Sequence, residues 1–269
     1  RGRIVGFVRS VAGLASILLL YGLGAAFADD PFLYQWIFPL LGGVGVLVTW
    51  RFATIRLPVS DVPQPRTVFA PVTVFRQNPQ FARFQLFQFI VGFANLGAVP
   101  LLAVYVFEVL ELPIDQAVLV VNQGIVMQLL VLLLVRFHGA IFDRVGVVRH
   151  RVICSTFIGS GWVVWSVAGS FELSLVAASL IGIGVGGGQL VWTIGSLSFA
   201  RPEERSLYTG VHTFLTGIRG IISPTVAVLV LESAWIDGAF SDYFLLTALV
   251  IFGSAVGHAL FVRTPQPRD

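Results

Sequence analysis

An arginine in the middle of a long apolar run is the costliest residue in this chain to place. Arg219 stands in such a run, and at the centre of a membrane helix an arginine costs about 2.5–3.5 kcal/mol on translocon-type scales. Its neighbours are spaced to help: His212, Thr216, Arg219 and Ser223 recur at i, i+4, i+7 and i+11 and share one helical face. A polar stripe carrying one cation suits two tasks. It can hold an anionic group of a solute, or it can pair with an acid or a helix end on a neighbouring element. A second stripe, Gln85, Gln88, Gly92 and Asn95, runs at similar spacing. Such a stripe makes interhelical hydrogen bonds, worth about 0.6 kcal/mol on average; the equal alternative, solute contact by Gln88 and Asn95, needs this helix to face a cavity. A third run holds Gly182, Gly184, Gly186, Gly187 and Gly188, followed by Gln189, Trp192, Thr193 and Ser196. Small residues of this kind let helices pack closely. Asn122, Gln123 and Gln128 are weaker candidates.

Other chemistry finds no support in the spacing. The four histidines and Cys154, the one cysteine, are scattered along the sequence and suggest no metal cluster. Cys154 reads as a small apolar core residue. The glycine run is not a nucleotide loop, because it follows no strand, and no G-x-x-x-x-G-K-[ST] sequence occurs. No carboxylate stands inside the apolar runs, so a proton relay would fall to His212 or to helices beyond this sequence. The expectation is a protein without catalytic residues, metal or cofactor.

These residues are carried by eight apolar blocks, at roughly 4–27, 32–53, 84–108, 116–137, 152–170, 173–198, 207–232 and 243–263. Each is long enough to cross a bilayer, which takes about 20 mostly apolar residues. With 56% hydrophobic and 12% charged residues, a soluble core is implausible. The blocks are continuous rather than alternating, which excludes a membrane barrel. The fold class is all-α, a polytopic helical membrane protein.

The charges orient it. Every basic residue except histidine is arginine, and the arginines fall in alternate gaps: Arg1 and Arg3, then Arg51 to Arg83, Arg136 to Arg151, Arg201 and Arg205, and Arg263 and Arg268. Acids hold the other gaps, among them Glu108, Glu111, Asp115 and Glu172. Excess arginine marks the cytoplasmic side, so all eight blocks alternate and both termini of this chain are expected in the cytoplasm. The formal net charge of +3 therefore reports membrane orientation, not nucleic-acid binding. Trp36 and Trp50 suit interfacial anchors.

One gap differs from the rest. Residues 54–82 carry Pro58, Pro63, Pro65, Pro71 and Pro79, which suits a semi-rigid linker between bundles. The expected division is 1–53 as the last two helices of an N-terminal bundle, 54–82 as a cytoplasmic linker, and 83–269 as a six-helix C-terminal bundle. Six helices after the linker against two before it lead us to expect four more upstream of residue 1.

The gap at 138–151 reads HGAIFDRVGVVRHR. Gly139, Asp143, Arg144 and Gly146 match the G-x-x-x-D-[RK]-x-G core of the loop signature of the major facilitator superfamily (MFS), and the gap lies between the second and third spans after the linker, as in that family. PEERSLYTGVHTFLTGIRGIISP also resembles the family's penultimate helix and its preceding loop. The chain departs from the signature after Gly146, where Val147 and Val148 stand in place of basic residues. By physics alone, the two glycines permit a tight turn and close backbone approach, and Asp143 can face the positive end of a neighbouring helix.

The resemblance implies an MFS-type two-bundle fold with its N-terminal bundle incomplete in this chain. It implies transport of a small-molecule substrate by alternating access, with a coupling ion as a further partner, in the plasma membrane and as a monomer in the lipid bilayer. It places Gln88, Asn95, Gln189 and Trp192 beside the central cavity and Arg219 on a helix at the interface between halves. It also implies that Asp143 steadies one conformation by contacting the opposite half, near Arg3 and Arg9. The alternatives are a non-transporting receptor or scaffold on the same fold, and a membrane-embedded enzyme.

Overall fold

The computed structural model describes residues 11–19, 21–23, 26, 30–54, 70–121, 124–233, 236 and 239–263. The expectations for Arg1, Arg3 and Arg9, for most of the linker and for Asn122 and Gln123 lie outside the described residues. The described elements are helical throughout, and the chain is an all-α polytopic membrane protein. Ahead of the linker, residues 11–19 and 21–23 are helical and α1 spans Tyr34–Ala53. The 20 residues of α1 rise about 30 Å, the thickness of the hydrocarbon core. Trp36, Leu40, Val46 and Trp50 on it are exposed.

After the linker come α2 (Ala70–Gln77) and α3 (Pro79–Val104), the latter running on into a π-turn at Tyr105–Val109. Asn78 caps α3: its side-chain oxygen accepts from the Phe81 N–H at 3.0 Å, and Pro79 takes the first helical position, where a missing N–H costs nothing. Helix α2 tucks in beside this start, with Val74 buried and Phe75 against Phe81. Then follow α4 (Ile114–Val120), α5 (Ile125–Ser166), α6 (Phe171–Ile194), α7 (Arg205–Leu231) and α8 (Phe240–Phe261).

Five segments are long and apolar enough to cross a membrane by length and composition; one of them, Ile114–Ser166, holds 53 residues. At 1.5 Å per residue that is about 80 Å, too long for a single crossing. It folds back at Gly146, the one residue of α5 with non-helical angles (φ 77°, ψ 169°). His138 Nδ1 lies 3.3 Å from His150 Nε2, whereas a straight helix would separate residues twelve apart by about 18 Å. Segment α5 is therefore a hairpin of two arms, 125–145 and 147–166.

Two sequence expectations are corrected here. The connection 138–151 is not an extended loop: helix reaches Gly146 from both sides, because a single left-handed glycine can reverse the chain. The fourth span is not continuous from 116 to 137 but breaks between α4 and α5, where Val121 turns to ψ 164° and Gly124 to ψ 173°.

Both arms of α5 pack on α6, while α8 packs on α5 and α3, and α7 packs on α3. The glycines of α6 make the first contact possible. A Cβ on Gly184 would meet the Cys154 carbonyl at 2.6 Å, and one on Gly182 would meet the Met127 Cα at 3.0 Å. Close packing of small residues is thus the structural role of this run, as its composition predicts. One apolar core, around Val91, Leu102, Trp162, Ile181 and Phe244, fills the bundle towards the π-turn; a second, around Phe81, Phe84, Val148, Phe199 and Tyr208, closes the opposite end. Tyr105 ties the first region together by donating its hydroxyl to the Ala168 carbonyl at 2.6 Å.

Candidate functional site

The two polar stripes meet. Helices α3 and α7 run parallel, and their contacts climb in register. His212 Nδ1 donates to Gln85 Oε1 at 3.1 Å, and higher up Arg219 Nη1 donates to the Gln88 carbonyl at 3.1 Å. Above that, a Cβ on Gly97 would meet the Ser223 carbonyl and the Ala227 Cβ, each at 3.0 Å. Gln85, Gln88, His212, Arg219 and Ser223 are all buried.

The arginine can enter because Gly92 has no side chain. A Cβ there would collide with the guanidinium at Nη1 and Cζ. The notch brings the cation onto the main chain of α3 one turn below, where a carbonyl already bonded within its helix has a second lone pair to offer. The partner of Arg219 is thus a backbone carbonyl of α3. Among the described residues this carbonyl, rather than an acid or a helix end, is the hydrogen-bond partner seen for Arg219.

The seam is only partly satisfied. Gln85 Nε2, Gln88 Oε1, His212 Nε2, Arg219 Nε and Ser223 Oγ are buried without a hydrogen-bond partner among the described residues. A buried polar atom left unpaired costs about 1–3 kcal/mol. Five on one seam, offering donors and acceptors together, form a surface able to receive water or a polar solute.

The remaining sequence candidates are placed differently. Asn95 Oδ1 accepts from Trp162 Nε1 at 3.1 Å, an interhelical bond between α3 and the second arm of α5. Gln189 is half-buried on α6. Trp192 is 41% exposed, with its ring edge-on to His212 at 5.7 Å between centroids, which puts it next to the seam. His258 is fully buried between Phe84 and Phe87 and bonds the Ser254 carbonyl at 3.1 Å, a core histidine.

Of the loop signature, Gly146 makes the turn. Gly139 does not: it sits within the first arm, and a Cβ there would meet nothing within 4 Å. The hairpin reverses at one residue, so the other glycine is not needed for it. Asp143 and Arg144 are exposed on the last turn before Gly146. The structure also assembles a group that spacing did not reveal. His138, His150 and Cys154 converge across the hairpin, all buried. Only the reversal at Gly146 brings His138 to the other two.

A bundle of membrane-length helices that includes a glycine-turned hairpin, with a buried polar seam between two parallel helices, defines a polytopic membrane protein. The family profile described as Major Facilitator Superfamily matches residues 1–224. The chain belongs to this superfamily of membrane transporters. No curated protein compared with it matches.

Proposed function

We propose that the protein is a secondary active transporter that moves a small polar solute by alternating access in the plasma membrane, with both ends of this chain in the cytoplasm and the residues 54–82 linking two bundles. The observation that carries this is the α3–α7 seam: in a chain of this family, five buried polar atoms without a hydrogen-bond partner among the described residues line one helix pair. Such atoms are costly unless something binds them. Arg219 is seated on Gln88, so it acts as a fixed donor platform whose free Nε faces solute. Gln88 offers Oε1 beside it, with Gln189 and Trp192 flanking. Asn95, held by Trp162, positions α3 against α5. Asp143 acts in the conformational equilibrium rather than in recognition. Rocking of one bundle against the other would expose the seam to alternate sides, driven by a coupling ion or by the solute's own gradient, in a monomer.

The test is counterflow into proteoliposomes with a panel of labelled small carboxylates, sugars and amines. Accumulation of one class, lost in Arg219→Ala and reduced in Arg219→Lys, is the expected result, because lysine keeps the charge but lacks the planar fork. If the solute binds the guanidinium, the class is anionic and binding falls with transport. A protein that binds a solute in the seam but moves none would instead be a receptor on the same fold.

A further inference from the structure

The cluster at the base of the hairpin has the composition and the spacing of a metal site. His138, on the first arm of α5, presents Nδ1 3.3 Å from Nε2 of His150 on the second arm. Cys154, one turn beyond His150, places Sγ 3.9 Å from that same Nε2. All three donor atoms lie within 4.8 Å of one another, and all three residues are buried. Three ligands about one ion, with about 2.0 Å to nitrogen and 2.3 Å to sulfur, stand about 3.4–3.7 Å apart. The two separations at His150 Nε2, 3.3 and 3.9 Å, lie close to those values, and bringing all three donors, which lie within 4.8 Å of one another, onto one ion closes the triangle by about 1 Å at most.

The surroundings are built to hold the three donors together. Gly187 of α6 faces them: a Cβ there would lie 2.5 Å from both Cys154 Sγ and His138 Nδ1. Any other residue would push these two atoms apart. His138 also hydrogen-bonds the backbone of Ile183, the kind of outer contact that fixes a ligating imidazole. The ring of Phe142 stands edge-on to His150 at 5.4 Å, closing the site with an apolar wall. Arg151 is buried nearby, its Nη1 3.2 Å from where a Cβ on the next glycine, Gly188, would be. Two imidazoles with one cysteine sulfur suit soft or borderline ions rather than magnesium or calcium.

We propose that His138, His150 and Cys154 bind a single d10 metal ion, Cu(I) or Zn(II), which staples the two arms of the α5 hairpin at its base. Binding forms one S–metal and two N–metal bonds. The thiol proton of Cys154 leaves to solvent, and no electron is transferred. The apolar walls leave the ion three-coordinate, or four-coordinate with one water.

The experiment uses the purified full chain in detergent, stripped with chelator and then reloaded with Cu(I) under anaerobic conditions or with Zn(II). One ion per chain should survive gel filtration, and X-ray absorption should show one sulfur and two nitrogens around it. The spectrum needs no variant and reads the wild-type ligands directly. Cys154→Ser and His150→Gln, checked for retained helicity, should each lower affinity at least as much as outer-shell changes do, about 10–100-fold. Retention of either ion with that ligand set supports the site, and the arm that binds more tightly identifies the ion. Failure to retain either, a first shell without sulfur, or binding unchanged in both variants would overturn it.

Discussion

Gly92→Ala is the sharpest probe of the seam. The added methyl would occupy the place of the Arg219 guanidinium, overlapping Nη1 and Cζ and lying 2.8 Å from Nε. The arginine is the flexible partner, so it moves, and its bond to the Gln88 carbonyl breaks. A hydrogen bond to a charged group contributes about 1.5–3 kcal/mol. Against this, alanine is the better helix former by about 0.8–1.0 kcal/mol. The net cost should be about 0.5–2 kcal/mol. In an Arg219→Leu background there is no guanidinium to displace. The same methyl then keeps only its propensity advantage, and the change should be neutral or stabilising by up to about 1 kcal/mol.

The two backgrounds therefore differ by about 1.5–3 kcal/mol, a coupling well above the few tenths of a kcal/mol that separate independent sites. The assay is a double-mutant cycle read by reversible unfolding in mixed micelles, with the four proteins compared at one detergent composition. Equal effects of Gly92→Ala in the two backgrounds would refute the notch: the guanidinium would then be seated elsewhere, and its cost in the membrane would be met by snorkelling towards the interface.

The two glycines of the loop signature should part company. Gly146→Ala, forced to φ 77° and ψ 169°, should cost about 1–3 kcal/mol, whereas Gly139→Ala, in open helical space, should be neutral or slightly stabilising in the same melt. On a Cys154→Ser background, cysteines at Asp143 and at Glu111 should be labelled from opposite sides of the membrane; labelling of both from one side would invert the topology. Asp143→Asn should shift the accessibility of seam cysteines between inward and outward states while leaving solute affinity nearly unchanged; a large loss of affinity at constant accessibility would assign the aspartate to recognition instead.

The helices were legible because the bilayer imposes one rule on sequence. Every crossing needs an apolar run of fixed length, so α3, α6, α7 and α8 could be bounded to within a few residues. The ends of the fourth and fifth spans were not, because charge in 138–151 suggested a loop. Exposed Asp143, Arg144 and Arg149 do not prevent helix when the charges point outward, and one left-handed glycine suffices to turn. The seam was half legible. Periodicity showed that Gln85, Gln88 and Gly92 share a face and that His212, Arg219 and Ser223 share another. That the two faces meet depends on how α3 and α7 pack, which no spacing within either helix records. The His138, His150 and Cys154 group was hidden for a stronger reason. The histidines are twelve residues apart, a separation with no meaning in helix, loop or metal signature until Gly146 reverses the chain.

One device recurs at several buried polar heads of this bundle. The guanidinium of Arg219 fills the notch of Gly92. Cys154 and His138 converge on Gly187, and Arg151 reaches Gly188. In water a buried polar group can reach outward to solvent; in lipid it must find its partner in the protein. Only a helix stripped of its side chain at one point lets a long or ring-bearing group come that close to a neighbouring main chain. The glycines of α3 and α6 therefore do more than bring helices together. Each fixes the position of one group with chemical capacity, a cation on the seam or a thiol and imidazole at the hairpin. A glycine substitution here should move that group before it loosens the bundle. The two effects separate in experiment: loss of coupling in the Gly92–Arg219 cycle, or loss of metal in Gly187→Ala, at unchanged helicity reports displacement of the group, whereas a fall in helicity with both would report unpacking of the helices themselves.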